Sequence, residues 1–125
     1  MDFLGLFSQN MGSKNPDAIT PSTKDQAVIA EAVDKLMEES IAPKFGEPAE
    51  WMEILYDGLS DGMLKRICAE DGWQWLLGNL WRFLPVGTVI QVGILIKEKP
   101  IIGMWLKAQY TIMQKWYQED EGGQG

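Results

Sequence analysis

The run from Val86 to Ile96 is the one stretch of this chain whose local propensity leans toward strand, and it has nothing to pair with. Val89, Ile90, Val92, Ile94 and Ile96 are β-branched, and Gly87 and Gly93 weaken a helix. No second run of the same kind occurs. A strand without a mate leaves its backbone donors and acceptors unpaired, and even a lone hairpin is marginal in water. The run is therefore expected to be helical, and the fold class follows: mostly α, a small bundle of four to six helices.

The rest of the chain agrees with that constraint. Val28, Ile29, Ala32, Val33, Leu36, Met37 and Ile41 recur at spacings of three and four and form one stripe, with Glu31, Asp34, Lys35 and Glu38 largely opposite. Ser22 followed by Asp25, or Thr23 followed by Gln26, offers N-cap chemistry for this helix, and Ala42-Pro43 ends it. Gly46-Glu47-Pro48 is a break. Trp51, Met52, Ile54 and Leu55 face inward from a short helix that Asp57-Gly58 stops. Ser60 caps the next helix, with Met63, Leu64, Ile67 and Cys68 as its inner face, and Asp71 suits the start of the segment after it.

From Trp73 to Leu84 the residues fit helical spacing up to Pro85. After the polar turn Lys97–Pro100, a last helix from about Ile101 to Gln118 carries Ile102, Trp105, Leu106, Tyr110, Met113, Trp116 and Tyr117 on its apolar face. Its polar stripe is Lys107, Thr111, Gln114 and Gln118. The two apolar segments on either side of the turn form a Trp-rich C-terminal helical hairpin. One domain is expected over 22–118. It lies between a flexible leader over 1–21 with a short apolar tip (Phe3, Leu4, Leu6, Phe7) and an acidic, Gly-rich tail over 119–125.

Charge divides the chain. Residues 1–72 hold six Lys/Arg against fourteen Asp/Glu, and residues 73–125 hold five against four. Between 73 and 118 the cations Arg82, Lys97, Lys99, Lys107 and Lys115 face a single acid, Glu98. That interval also contains five of the six tryptophans: Trp73, Trp75, Trp81, Trp105 and Trp116. The net charge of −7 makes the chain a poor ligand for phosphate backbones, so no nucleic-acid partner is expected.

The residues that carry chemistry are scarce. There is no histidine, which removes His-based triads and His metal clusters. Cys68 is the sole cysteine and reads as a small buried hydrophobe, and a chain without disulfides suits a reducing compartment. The carboxylate pairs Glu47/Glu50, Glu50/Glu53 and Asp57/Asp61 read as solvated helix faces. Asp57–Gly62 resembles a calcium loop only superficially, because Leu59 and Cys68 stand where loop positions 3 and 12 need oxygen ligands. No Gly-rich phosphate loop occurs. No enzyme, cofactor or metal is expected, and the first residues lack the basic flank of a secretory signal.

The Trp-rich cationic half carries the sharpest expectation. Phe83 to Ile96 is fourteen residues without a charge, short of the ~20 that a membrane span needs. Extension back to Trp73 gives 24 residues that contain Arg82, Asn79 and Gln91. A structural or interaction protein is expected, with Trp73, Trp75, Trp81, Arg82, Lys97, Lys99, Trp105, Lys107, Lys115, Trp116 and Tyr117 facing a partner protein or a second copy. The alternative is a membrane-associated component, interfacial or hairpin-inserted, of the kind a virion or an accessory subunit uses. Trp and Tyr favour the interface and lysines favour anionic headgroups there.

Overall fold

A computed structural model describes residues 21–122. Six α-helices and one 3-10 turn run in order among them, with no strand: α1 Thr23–Glu39, α2 Glu50–Gly58, α3 Asp61–Ile67, α4 Gly72–Gly78, the 3-10 turn Leu80–Arg82, α5 Val86–Glu98 and α6 Pro100–Gly122. The apolar tip and the last three residues lie outside the described residues, as does all of the expected leader except Pro21.

Helix α1 starts where its side chains allow. The Ser22 hydroxyl accepts from the Asp25 N–H at 3.0 Å, satisfying one of the free donors of the first turn. Ile29, Ala32, Val33 and Leu36 are buried, as their spacing predicts. Ile41 is not part of that stripe: it is 84% exposed. The helix stops at Glu39; the Ser40 N–H still makes the helical bond to the Leu36 carbonyl, but the Ile41 N–H reaches only the Glu38 carbonyl, at 3.4 Å, where the chain leaves the helix. Gly46 then makes the turn toward α2 with φ 86°, a left-handed conformation that glycine adopts without a Cβ clash.

Helix α2 packs along α1 and also touches α6, and α5 and α6 form the expected hairpin. The core lies where these elements meet. Trp51 and Met52 from α2 are enclosed with Ile67 from α3 and with Ile102, Trp105, Leu106 and Met113 from α6. Trp51 packs edge-on against Trp105 with centroids 6.0 Å apart, a favoured aromatic geometry. A cavity of about 30 Å³ remains between α1, α2, α4 and α6, with Val92 of α5 on its wall.

Two expectations need correction. Trp73 to Leu84 is not one helix. It breaks after Gly78, and the Asn79 side-chain amide donates to the Trp75 carbonyl at 2.8 Å. Asparagine competes in this way for helix carbonyls, and Gly78 before it is a poor helix former. The break also divides the 24-residue interval from Trp73 to Ile96, and no helix among the described residues is long and apolar enough to cross a membrane. Helix α6 does not stop at Gln118 but runs on to Gly122. Acidic residues oppose the dipole at a helix C-terminus. Here the Tyr56 hydroxyl donates to the Asp120 carboxylate, and Tyr56 packs edge-on against Trp116 at 5.4 Å.

Gly72 is fixed by close approach. A Cβ there would fall inside the contact radius of the Ile67 carbonyl, which belongs to rigid helix backbone. Gly72→Ala should therefore destabilise by about 1–3 kcal/mol. Leu36→Ala, at an 8% exposed core position, should cost about 2–4 kcal/mol. Urea unfolding of the two variants checks both values, and a change within ~0.5 kcal/mol would mean that the site is open.

Candidate functional site

The buried carboxylate and amide side chains of the interior hold the fold, while the Trp51 and Trp75 indole N–H groups meet no acceptor among the described residues. Asp25 is 3% exposed, and its carboxylate accepts from the Ser60 N–H at 2.9 Å and the Ser60 hydroxyl at 2.7 Å. One aspartate thus ties the start of α1 to the N-cap of α3. Burial pushes the Asp25 carboxyl up. The Ser60 N–H, the Ser60 hydroxyl and the Ser22 hydroxyl favour the ionised form, and together they hold it below the usual aspartate value. The Asp71 carboxylate was expected to start α4, but it makes no cap bond there. Instead it takes a bidentate pair from Arg66 at 2.9 and 3.0 Å, which holds its pKa low.

Cys68 is buried, and burial pushes its thiol up to about 12. A thiol so protonated is a poor nucleophile. Among the described residues no group of three His, Cys, Asp or Glu side chains is placed to hold a metal ion. A groove of about 580 Å³ beside α4 and α6 brings together Trp73, Gln74, Lys107 and Thr111, with Tyr110 and Gln114 deeper in the wall and Glu70 and Asp71 at its rim. The groove presents one lysine, two carboxylates and neutral polar groups, and the Tyr110 phenol in its wall is pushed far up by burial.

The residues expected on a contact surface separate into three groups. Trp75 and Trp105 are interior, at 7% and 1% exposure, which corrects their placement. The Arg66 guanidinium lies 4.8 Å over the Trp75 ring, and the Trp105 Nε1–H donates to the Lys44 carbonyl at 3.1 Å. Trp73, Trp116 and Tyr117 are half-buried, Trp73 against Tyr110 at 5.0 Å. Trp81, Lys97, Lys99, Lys107 and Lys115 are exposed, and half-buried Arg82 stacks over Trp81 at 5.9 Å.

The most open apolar surface lies between these residues. Helix α5 buries one side chain, Val92, and half-buries Val89, Leu95 and Ile96. On its other side Val86 is 73% exposed, Ile90 56% and Ile94 49%. Ile101 and Met104 follow as exposed residues at the start of α6. Sequence reasoning found the apolar run but missed that this side faces outward. The signal was available: 86, 90 and 94 are four apart, so they share one helix face, while Val92 and Val89 point away from it. A helix that is apolar on both sides has one face more than a single core contact can cover.

Compared with protein-family models, with curated proteins and with solved structures, the chain matches none.

Two measurements probe the buried groups. A carboxylate with a lowered folded pKa stabilises above its unfolded value of about 3.9, and that stabilisation is lost as pH falls through the lower folded value. Asp25→Asn should cost about 1–3 kcal/mol at pH 7 and should flatten the loss of stability below pH ~4 expected of the parent. Urea titrations at several pH values read both effects. The Cys68 thiol should react with an aromatic disulfide at pH 8 at least ~100-fold more slowly in the native protein than in the unfolded chain. Equal rates would show that the site is open.

Proposed function

We propose that this protein is a non-enzymatic structural or interaction protein whose C-terminal hairpin packs on a partner protein. The observation that carries this reading is the uncovered aliphatic side of α5, where Val86, Ile90 and Ile94 stand open on a helix held to its own core chiefly by Val92. Single exposed apolar residues are ordinary on a protein surface, but a ridge along a whole helix face marks a binding surface. The ordinary cost of such a ridge is about 25 cal/mol for each Å² of apolar area left in water, and a partner that covers it recovers that amount.

Further support comes from what the polar residues do. Asp25, Glu39, Gln109 and Arg66 each hold a backbone segment or another side chain. The chain's polar chemistry is spent on architecture, and its open apolar surface is concentrated on the hairpin.

A second reading, attachment to a membrane surface, is favoured by the exposed Trp81 together with Lys97 and Lys99 at the end of α5. This reading, interfacial or hairpin-inserted, needs no spanning helix, and no helix among the described residues is long and apolar enough to be one.

The two readings separate experimentally. In an extract of cells that express the protein, the partner reading expects elution well above 14.1 kDa, and expects Ile90→Lys to return it toward that mass while its unfolding free energy stays within ~0.5 kcal/mol. Elution at the monomer mass for both forms would sink the partner reading. The membrane reading expects co-flotation with anionic vesicles and a blue-shifted Trp emission. It also expects the double change Lys107→Glu, Lys115→Glu to weaken binding by about 1 kcal/mol or more per lost basic charge.

A further inference from the structure

We propose that the exposed side of α5 is covered first by the chain's own apolar tip, Phe3 to Phe7, which an outside partner has to displace. The inference rests on the reading of α5 as a docking face. It goes further by naming the first occupant from where α1 begins and from the length of chain before it.

The helix directions bring two starts together. Val28 lies against Gly58, and Glu39 accepts from the N–H groups of Glu50 and Trp51, so α1 and α2 run antiparallel. Gln109 holds Ala49, and Asp120 meets Tyr56, so α2 and α6 run in the same direction. Lys99 alone joins α5 to α6, and Ile96 lies beside Gly103, so that pair doubles back. Helices α1 and α5 are therefore both antiparallel to α6 and start at the same end of the bundle. Ile29 and Val92 line one cavity, which sets them at a common level. Ser22 precedes Ile29 by seven residues and Val86 precedes Val92 by six, so each start lies about 10 Å beyond that level at ~1.5 Å per residue. The chain before α1 is thus attached at the end of the bundle where the ridge begins.

Its length suffices. Residues 8–20 lie between Phe7 and Pro21, the first described residue. Fully extended, they span up to ~44 Å. The two helix starts, on different walls of the cavity, are roughly 10–20 Å apart at packed interaxial distances. A tether of this order holds its end at an effective concentration of about 1 mM. A tip with a free-peptide Kd of about 100 μM would then occupy the face most of the time, ahead of a partner at micromolar concentration.

Composition and charge agree with this occupant. Phe3, Leu4, Leu6 and Phe7 are large apolar residues within five positions. At this end of the bundle Val86 and Ile90 stand open, with Trp81 just before them. The exposed Ile41 and Phe45 follow the end of α1, and Ile101 and Met104 stand at the start of α6, so both pairs belong to the far end. Asp2 is the sole charged side chain in residues 1–13. Around the ridge Arg82, Lys97 and Lys99 outnumber the one acid, Glu98. The groove on the α2 side of α1 is lined by Glu31, Glu50, Glu53 and Asp57 and is less favourable to Asp2, even with Lys35 paired to Glu50.

A nitroxide on Ser8→Cys reads the contact in the full chain, attached under native conditions in which Cys68 is buried. The methyl signals of Val86, Ile90 and Ile94 should lose most of their intensity. Those of Val28, near the same end but on the α2 side of α1, should lose much less. Phe3→Asp together with Phe7→Asp should return the α5 signals to the level of Val28. The same double change should strengthen an Ile90-dependent assembly about tenfold, because it removes the competitor. Equal attenuation at Val28 and Ile90, or attenuation at Ile90 that survives the double change, overturns the proposal. So does attenuation found only when nitroxide and isotope sit on different chains, which would place the tip of a second copy there. The reading of the face separates from that of its cover. If α5 is attenuated as expected while no assembly depends on Ile90, the cover stands and the outside partner is lost. If an assembly depends on Ile90 while the attenuation is absent, the face docks a partner and the tip is not its cover.

Discussion

The buried amide of Gln109 holds the two halves of the molecule in register. It has no solvent exposure, its oxygen accepts from the Ala49 N–H at 2.8 Å, and its nitrogen donates to the Glu47 carbonyl at 2.8 Å. An amide buried without partners would cost several kcal/mol, so α6 and the 47–49 segment fit together in one arrangement. One turn earlier, Trp105 fixes the same loop through the Lys44 carbonyl. Glu39 completes the joint from the other side. Ala49 cannot cap α2, and the Glu39 carboxylate accepts from the N–H groups of Glu50 and Trp51, both at 3.0 Å. The start of α2 is therefore made by residues from α1 and α6, and Trp51 and Met52 enter the core only because that start is fixed.

Much of this was legible in the sequence where one residue acts on its near neighbours. Ser22 caps α1 and Ser60 caps α3 as their spacing to the following turn implies. No pairing strand exists for 86–96, which favours helix over strand there against its β-branched composition, and the helix runs to Glu98. What was not legible depends on partners far along the chain. Gln109 reads as a polar residue among apolar ones, and only the loop sixty residues earlier makes it interior. Gln114 reads as part of a solvated stripe but donates to the Ala69 carbonyl. Asp71 reads as a cap, and its link to Arg66 depends on a turn whose shape Gly72 permits. Periodicity reports which face is apolar. It does not report whether another element covers that face.

The same limit explains the candidate surface. Five tryptophans and five cations drew attention to the C-terminal half, yet a large aromatic ring is often the residue best covered by its own fold. Trp75 and Trp105 went inside because each had a ring, a cation or a carbonyl to meet there. The aliphatic residues of α5 had no such claim. Val92 lines the central cavity, and the Val86, Ile90 and Ile94 side of α5 is left exposed among the described residues.

Salt distinguishes the possible covers by sign. Salt at physiological strength screens charge beyond about 8 Å and leaves an apolar contact of Val86, Ile90 and Ile94 untouched. A contact driven by this ridge should then hold or strengthen as salt is raised, and kosmotropic salts should favour it further. Docking on an anionic surface through Lys97, Lys99, Lys107 and Lys115 has the opposite sign, because its attraction is what salt screens.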